Sequence, residues 1–240
     1  MNKRLLGSAI LVSGLLLSGC GQAPKQAADS PSQTQESTKP ELLPEFKSRL
    51  NIYHPVELTA DISHLSDNQK KMLGVLIDAS KIMDDLFWKQ SYGKDYQALL
   101  DSIEDPATRK FADINYGPWD RLQGDEVFLA GFDEKPKGAQ FYPADMTKDE
   151  LNNSGVKDAK GLYSIIVRDS NGKLSSVPYS EHFNEELTRA AKLLQQAAEL
   201  ADNKEFANYL NMRAKALLTD DYQASDFAWM DMKTNPIELV

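Results

Sequence analysis

The sequence predicts an α+β body that is mostly helical, with a small mixed or antiparallel sheet and a Gly/Pro-rich middle segment. Three observations predict it. Apolar residues recur every three or four positions in long stretches on both sides of the chain's centre, the repeat of amphipathic helices. One β-branched run, Gly161 to Arg168, precedes the turn signal Ser170-Asn171-Gly172-Lys173. Between these lies 113–146, where Gly117, Gly124, Gly131, Gly138, Pro118, Pro136 and Pro143 are too dense for a long helix.

The chain begins with an address. Met1-Asn2-Lys3-Arg4 precedes an apolar run from Leu5 to Leu17. Cations before about a dozen apolar residues form a secretory signal layout, and the run is short of the roughly 20 residues that span a bilayer. It ends Leu17-Ser18-Gly19-Cys20, which resembles the bacterial lipobox, and Cys20 is the one cysteine of the chain. Small residues admit the backbone to a peptidase, and the thiol takes the lipid. The expectation is a signal peptide over 1–19, then a palmitate-type acylated Cys20 holding the protein at a membrane. Gly21 after Cys20 favours the outer membrane in a Gram-negative envelope. Residues 20–44 are rich in Gln, Ser, Thr, Ala and Pro without aromatics, and read as a flexible tether.

The body is expected over 45–240. Asp61 to Ser66 supplies turn and cap residues, and Met72, Leu76, Ala79, Met83 and Leu86 line one face of a helix over 67–90. A shorter helix is expected over 96–103, and Asp105-Pro106 opens another because Pro suits the first helical turn. Glu126 to Leu129 is a short strand. Gly161 to Arg168 and Leu174 to Val177 form a hairpin. Leu187, Ala190, Ala191, Leu194, Ala197, Ala198 and Ala201 stripe a helix, Asp202-Asn203 breaks it, and Phe206 to Leu217 returns as its antiparallel partner. Asp220-Asp221 ends that helix, and Tyr222 to Met232 resumes. The last residues, 235–240, alternate like a strand.

Composition excludes several chemistries. There are 36 acidic against 27 basic residues in 240, a net charge of −9, so no basic face offers itself to nucleic acid phosphates. A single cysteine allows neither an internal disulfide nor a cysteine zinc site. His54, His64 and His182 form no HExxH or HExxGH, and GxSxG, Walker A and GxGxxG are absent from the sequence. The pairs Asp84-Asp85, Glu185-Glu186 and Asp220-Asp221 read as solvated or terminal helix charges. No catalytic residue and no metal ligand is therefore predicted in this chain. The distinctive stretch is Asn115-Tyr116-Gly117-Pro118-Trp119-Asp120-Arg121-Leu122. It reads either as a structural turn plugged by Trp119, or as a loop presenting Trp119, Asp120 and Arg121 to a cleft. Asn115, Tyr116, Trp119, Asp120 and Arg121 are the candidate residues under both readings.

Taken with GDEVFLAGFDEKPKGAQFYPADM, the upstream KIMDDLFWKQ and the downstream DDYQASDFAWMDMKTNPIELV, that stretch resembles the dipeptidyl-peptidase III family of zinc metallopeptidases, in its bacterial branch. The resemblance runs from Leu58 to Val240. It implies one lobe of a two-lobed enzyme that releases dipeptides from the N-termini of short peptides, the N-terminal lobe without the zinc. Family members hold zinc through two His of HExxGH and a further Glu, none of which matches a residue here. The resemblance implies a fragment or truncated form, inactive alone, that lacks the zinc site; zinc is the cofactor of the full-length family. The implied partners are a membrane through Cys20, short peptides, and a missing or separate zinc-bearing lobe. A non-enzymatic peptide-binding or scaffold lipoprotein is the alternative.

Overall fold

The computed structural model describes residues 39–239; the predicted signal peptide, Cys20 and most of the predicted tether lie outside the described residues. Three long helices carry the larger core. Helix α1 spans Asp67–Ser91. Its start is fixed by a capping box: the Ser66 hydroxyl accepts from the Gln69 N–H at 3.1 Å, and the Gln69 side chain accepts from the Ser66 N–H at 2.9 Å. The Ser66 hydroxyl also donates to Asp202 at 2.6 Å, tying this end to a distant linker. Ser66→Ala is expected to cost about 1 kcal/mol in urea unfolding. An unchanged midpoint would show that water replaces the cap at no cost.

Short helices α2 (Tyr96–Ser102) and α3 (Pro106–Asn115) follow. Asp105 caps α3 by accepting from the Thr108 N–H at 2.8 Å, with Pro106 just inside. Helix α3 ends on Tyr116, which is left-handed at φ 54°. Gly117 continues at φ 145°, and a Cβ there would lie 2.7 Å from the Trp119 ring. Only glycine fits that approach.

The chain then folds back as β1 (Trp119–Asp120) and β2 (Glu126–Val127), an antiparallel pair matching Trp119 with Val127. Here the structure shortens the predicted tether. Leu42 bridges Leu129, the Leu43 N–H donates to the Phe128 carbonyl at 2.9 Å, and the Ala130 N–H donates to the Glu41 carbonyl at 2.8 Å. Residues 41–44 thus belong to the body. The reason is their composition: Leu42 and Leu43 are apolar, unlike the preceding polar run, and pack on a small core. That core contains Phe46, Ile103, Phe111, Phe128 and Leu129, and Phe46 enters it from a 3-10 turn at Pro44–Asn51.

Beyond the middle segment and α4 (Lys148–Asn153), strands β3 (Ser164–Arg168) and β4 (Leu174–Pro178) form the predicted hairpin, antiparallel with Ile166 opposite Ser176. The short α5 (Tyr179–His182) leads into α6 (Asn184–Leu200) and α7 (Lys204–Leu217). Asn203 caps α7 by accepting from the Phe206 N–H at 3.0 Å. Helix α6 packs between α1 and α7. Its buried Ala190, Ala191, Ala197 and Ala198 let the neighbours approach closely. Asp220 turns the chain at φ 57° before α8 (Gln223–Asp231).

The predicted terminal strand is corrected. Residues 235–239 bend at Pro236 and Ile237 and belong to no sheet among the described residues. Their alternation is real as burial, since Ile237 is 8% exposed and Glu238 is exposed. It is satisfied against helices, which offer no ladder of backbone groups to pair with. No helix among the described residues is long and apolar enough to cross a membrane.

Candidate functional site

The 115–122 stretch is held by its own polar groups. Asn115 is 2% exposed: its amide nitrogen donates to the Phe111 carbonyl at 2.9 Å, and its oxygen accepts from the Arg121 N–H at 3.1 Å and the Tyr53 hydroxyl at 3.3 Å. Asp120 is fully buried. One of its oxygens accepts from the Leu122 N–H at 3.0 Å, and the other from Arg49 Nε at 2.7 Å. That bond holds the Arg49 guanidinium above its ordinary value, against the effect of burial. Arg49 Nη2 is also buried, with no acceptor. Trp119 is 6% exposed, and its ring N–H donates to the Asp133 carbonyl at 3.0 Å.

The structure therefore brings Asn115, Trp119 and Asp120 together inside the turn. Of the five candidate residues, only Tyr116 and Arg121 face outward. The Tyr116 hydroxyl donates to Asp84 at 2.5 Å, its ring meets Phe87 edge-on at 4.5 Å, and the Arg121 guanidinium lies 5.5 Å over it. Asp84, as the acceptor, is the main reason the Tyr116 hydroxyl is pushed up to about 12. Asp113 nearby is raised by burial and then by the Asp84 charge.

The concave surfaces lie beside the turn. A groove of about 950 Å³ is lined by Phe46, Asp125, Val127, Lys135, Gly138 and Phe141, among others. Lys135 reaches Asp125 at 3.0 Å and lies 5.8 Å over the Trp119 ring, so the buried turn supports this wall. A second groove, of about 740 Å³, is lined by Gln140, Tyr142, Ile166, Lys89, His182 and Glu186 among others. Residues 139–142 are the partition: Ala139 and Phe141 line the first groove, Gln140 and Tyr142 the second. The partition is pinned by two backbone bonds, from the Gln140 N–H to the Gln90 carbonyl at 3.1 Å and from the Ile166 N–H to the Phe141 carbonyl at 2.9 Å.

The second groove has an ionic centre that sequence reasoning missed. Lys89 Nζ lies 2.8 Å from Asp85 and 2.6 Å from Glu186, and the Tyr96 hydroxyl donates to Asp85 at 2.8 Å. Burial pushes both carboxyls up, but the Lys89 bonds outweigh it and hold them below the usual carboxylate range. Burial likewise lowers Lys89, yet its two carboxylates leave it above the ordinary lysine value. His182 is lowered by burial, with Glu186 opposing. The i,i+4 spacing of Asp85 and Lys89 was the available signal; Glu186, 97 residues from Lys89, was not legible.

Metal chemistry does not fit these residues. Among the described residues no group of three or more His, Cys, Asp or Glu is placed to hold a metal ion. His54 and His64 lie on an exposed segment before α1, and His182 lies in α5. No step through zinc is derived from them.

No family model matches the chain. The solved structure of DPP III from Caldithrix abyssi is 39% identical, with a TM-score of 0.73, over 79% of this chain and 38% of that one. Dipeptidyl-peptidase III from Corallococcus sp. strain EGB is 34% identical, with a TM-score of 0.72, over 78% of this chain and 37% of that one. A curated plant protein, Nudix hydrolase 3 of Arabidopsis thaliana, is 31% identical over 249 residues, covering 78% of this chain and 32% of the plant protein. The chain thus spans less than two fifths of each relative's length. In fold and sequence it is a partial dipeptidyl-peptidase III-like lobe.

Proposed function

We propose that this chain is a lipid-anchored protein of the bacterial envelope. It contributes the cleft-lining, non-zinc lobe of a dipeptidyl-peptidase III-like enzyme acting on short peptides. The observation that carries the reading is the placement of residues 124–143. This stretch bore much of the family resemblance, and it walls both grooves in a body 39% identical to a bacterial DPP III. In this division of labour the chain's own residues bind and orient peptide. The grooves offer apolar surface beside fixed charges, Lys135 with Asp125 in one and Lys89 with Glu186 in the other. A zinc ion held on another part of such an enzyme would supply an activated water. The anchor rests on the lipobox-like Leu17-Ser18-Gly19-Cys20.

The second reading, a peptide-binding or scaffold lipoprotein without catalysis, rests on the same two grooves, whose apolar surface beside fixed charges would hold a peptide without a metal. The two readings separate in one assay. Under the enzymatic reading, the full chain alone releases no dipeptide from short peptides, and adding a polypeptide that bears HExxGH from a DPP III restores release. Peptide binding by calorimetry with no release in any mixture supports the scaffold. One zinc per chain after dialysis, with hydrolysis by the chain alone, would overturn both. The anchor has its own test. The protein expressed with its leader is expected in the membrane fraction with an acyl mass increment, and Cys20→Ser is expected in the soluble fraction. An unmodified mass with Cys20 intact overturns the anchor.

A further inference from the structure

A third concavity lies away from the two grooves, over α1, α6 and α7, and encloses about 490 Å³. Helix α6 packs against both α1 and α7, which do not pack closely on one another. The floor is therefore α6, through Leu194 and the fully buried Ala190, whose side chain is only a methyl. Ala79 and Met83 of α1 form one wall, and Leu217 of α7 belongs to the other. Arg213, one turn before Leu217, brings a cation to that apolar wall. We propose that this concavity binds a straight-chain monocarboxylate, with its alkyl chain along the floor and walls and its carboxylate on the Arg213 guanidinium.

Three observations select that ligand. The first is the lining. Apart from Ser80, Tyr209 and Arg213, every lining residue is Ala, Leu or Met. The Ser80 hydroxyl already donates to the Ile77 carbonyl at 2.8 Å, and the Tyr209 hydroxyl to the Leu239 carbonyl at 2.9 Å. What remains is an apolar channel with a single cation, which suits a ligand that is apolar along its length and anionic at one point. The second is the incomplete pairing of that cation. Arg213 Nη2 is bonded to Asp226 at 2.8 Å, but Nε is buried without an acceptor and Nη1 has no protein acceptor among the described residues. The side chain is 21% exposed, so a ligand oxygen can reach it. The third is a precedent in the same chain. Arg168 takes two carboxylates at once, Asp145 on Nε at 2.9 Å and Glu150 on Nη1 at 2.8 Å. Arg213 has taken one. Its guanidinium sits 5.4 Å from both the Tyr209 and Tyr222 rings, so it is held in place before a second carboxylate arrives. The inference goes beyond the peptidase reading and stands or falls without it, because neither peptide nor zinc enters its test.

The test is calorimetry of the full chain with hexanoate, octanoate and decanoate, each kept below its micelle concentration. One equivalent is expected to bind, about fourfold more tightly for each added CH₂. Decanamide has the same chain without the charge, and is expected to bind about tenfold more weakly than decanoate. Arg213→Met is expected to bring decanoate down to the affinity of decanamide while leaving decanamide unchanged. Ser80 is exposed at the rim, and Ser80→Trp is expected to fill the mouth and abolish binding of both. No saturable binding, affinity independent of chain length, equal affinity for decanamide, or binding that survives Ser80→Trp each overturns the proposal. So does a wild-type dimer in sedimentation that Ser80→Trp dissociates, which would give the concavity to a second copy. If Arg213→Met fails to fold, the chain-length series, decanamide and Ser80→Trp still decide.

Discussion

Replacing Asp120 with alanine is expected to lower the thermal midpoint by about 10 °C. Asp120 has no exposure to solvent, and its two oxygens serve the Leu122 N–H and Arg49 Nε. Truncation leaves the guanidinium beside a hole without its counter-charge, while Arg49 Nη2 already lacks an acceptor. The cost arises from stranding the cation more than from losing an attraction. A double-mutant cycle separates the two. Arg49→Met alone strands the carboxylate. The pair Arg49→Met with Asp120→Ala should recover a good part of the single-mutant loss, because neither charge is then left unpaired. A double variant as unstable as the sum of the singles would show that Asp120 acts through the turn alone. Both singles are also expected to weaken whatever the first groove binds, since Trp119, next to Asp120, lies under Lys135 in that wall.

This turn marks the limit of what the sequence could tell. Gly117-Pro118 announced a sharp turn, and α1, α3, α6 and α7 were legible from apolar spacing and from caps at Ser66, Asp105 and Asn203. Those signals are local, and the residues that produce them lie within a few positions of one another. Whether Asp120 faced a cleft or the interior depended on Arg49, 71 residues away, and no spacing encodes that meeting. The grooves were illegible for the same reason. Gln140 and Phe141 look alike as members of a polar, breaker-rich run, yet they line opposite sides of a partition fixed by Gln90 and Ile166. The terminal run erred differently. The alternation over 235–240 reads as a strand, but period two says nothing about whether the covering surface is a strand or a helix, and Ile237 is buried against helices.

The ionic centre of the second groove yields the other large effect. Lys89→Met is expected to lower the thermal midpoint at neutral pH by about 5 °C, less than Asp120→Ala because all three charges keep some solvent contact. Its pH dependence identifies the cause. Asp85 and Glu186 have folded-state values below their unfolded ones. Their contribution is therefore full above the unfolded carboxylate range, near pH 4, and is lost as pH falls through the folded values. Lys89 is raised, so its contribution is full below the unfolded lysine value of about 10.4 and is lost as pH rises through the folded one. The gap between wild type and Lys89→Met should be widest between these limits and close at both ends. Without the cation, Asp85 and Glu186 face each other in a half-buried groove, and each charged form is disfavoured by burial and by its neighbour. Protonating these carboxyls then relieves the fold, so the variant should recover stability relative to the wild type as pH falls toward 4. Adding Asp85→Asn should restore part of the midpoint lost at neutral pH, because Glu186 can then ionise without a like charge beside it. A gap that stays constant from acid to alkali would assign the loss to the Lys89 stem packed against the groove wall instead of to its charge.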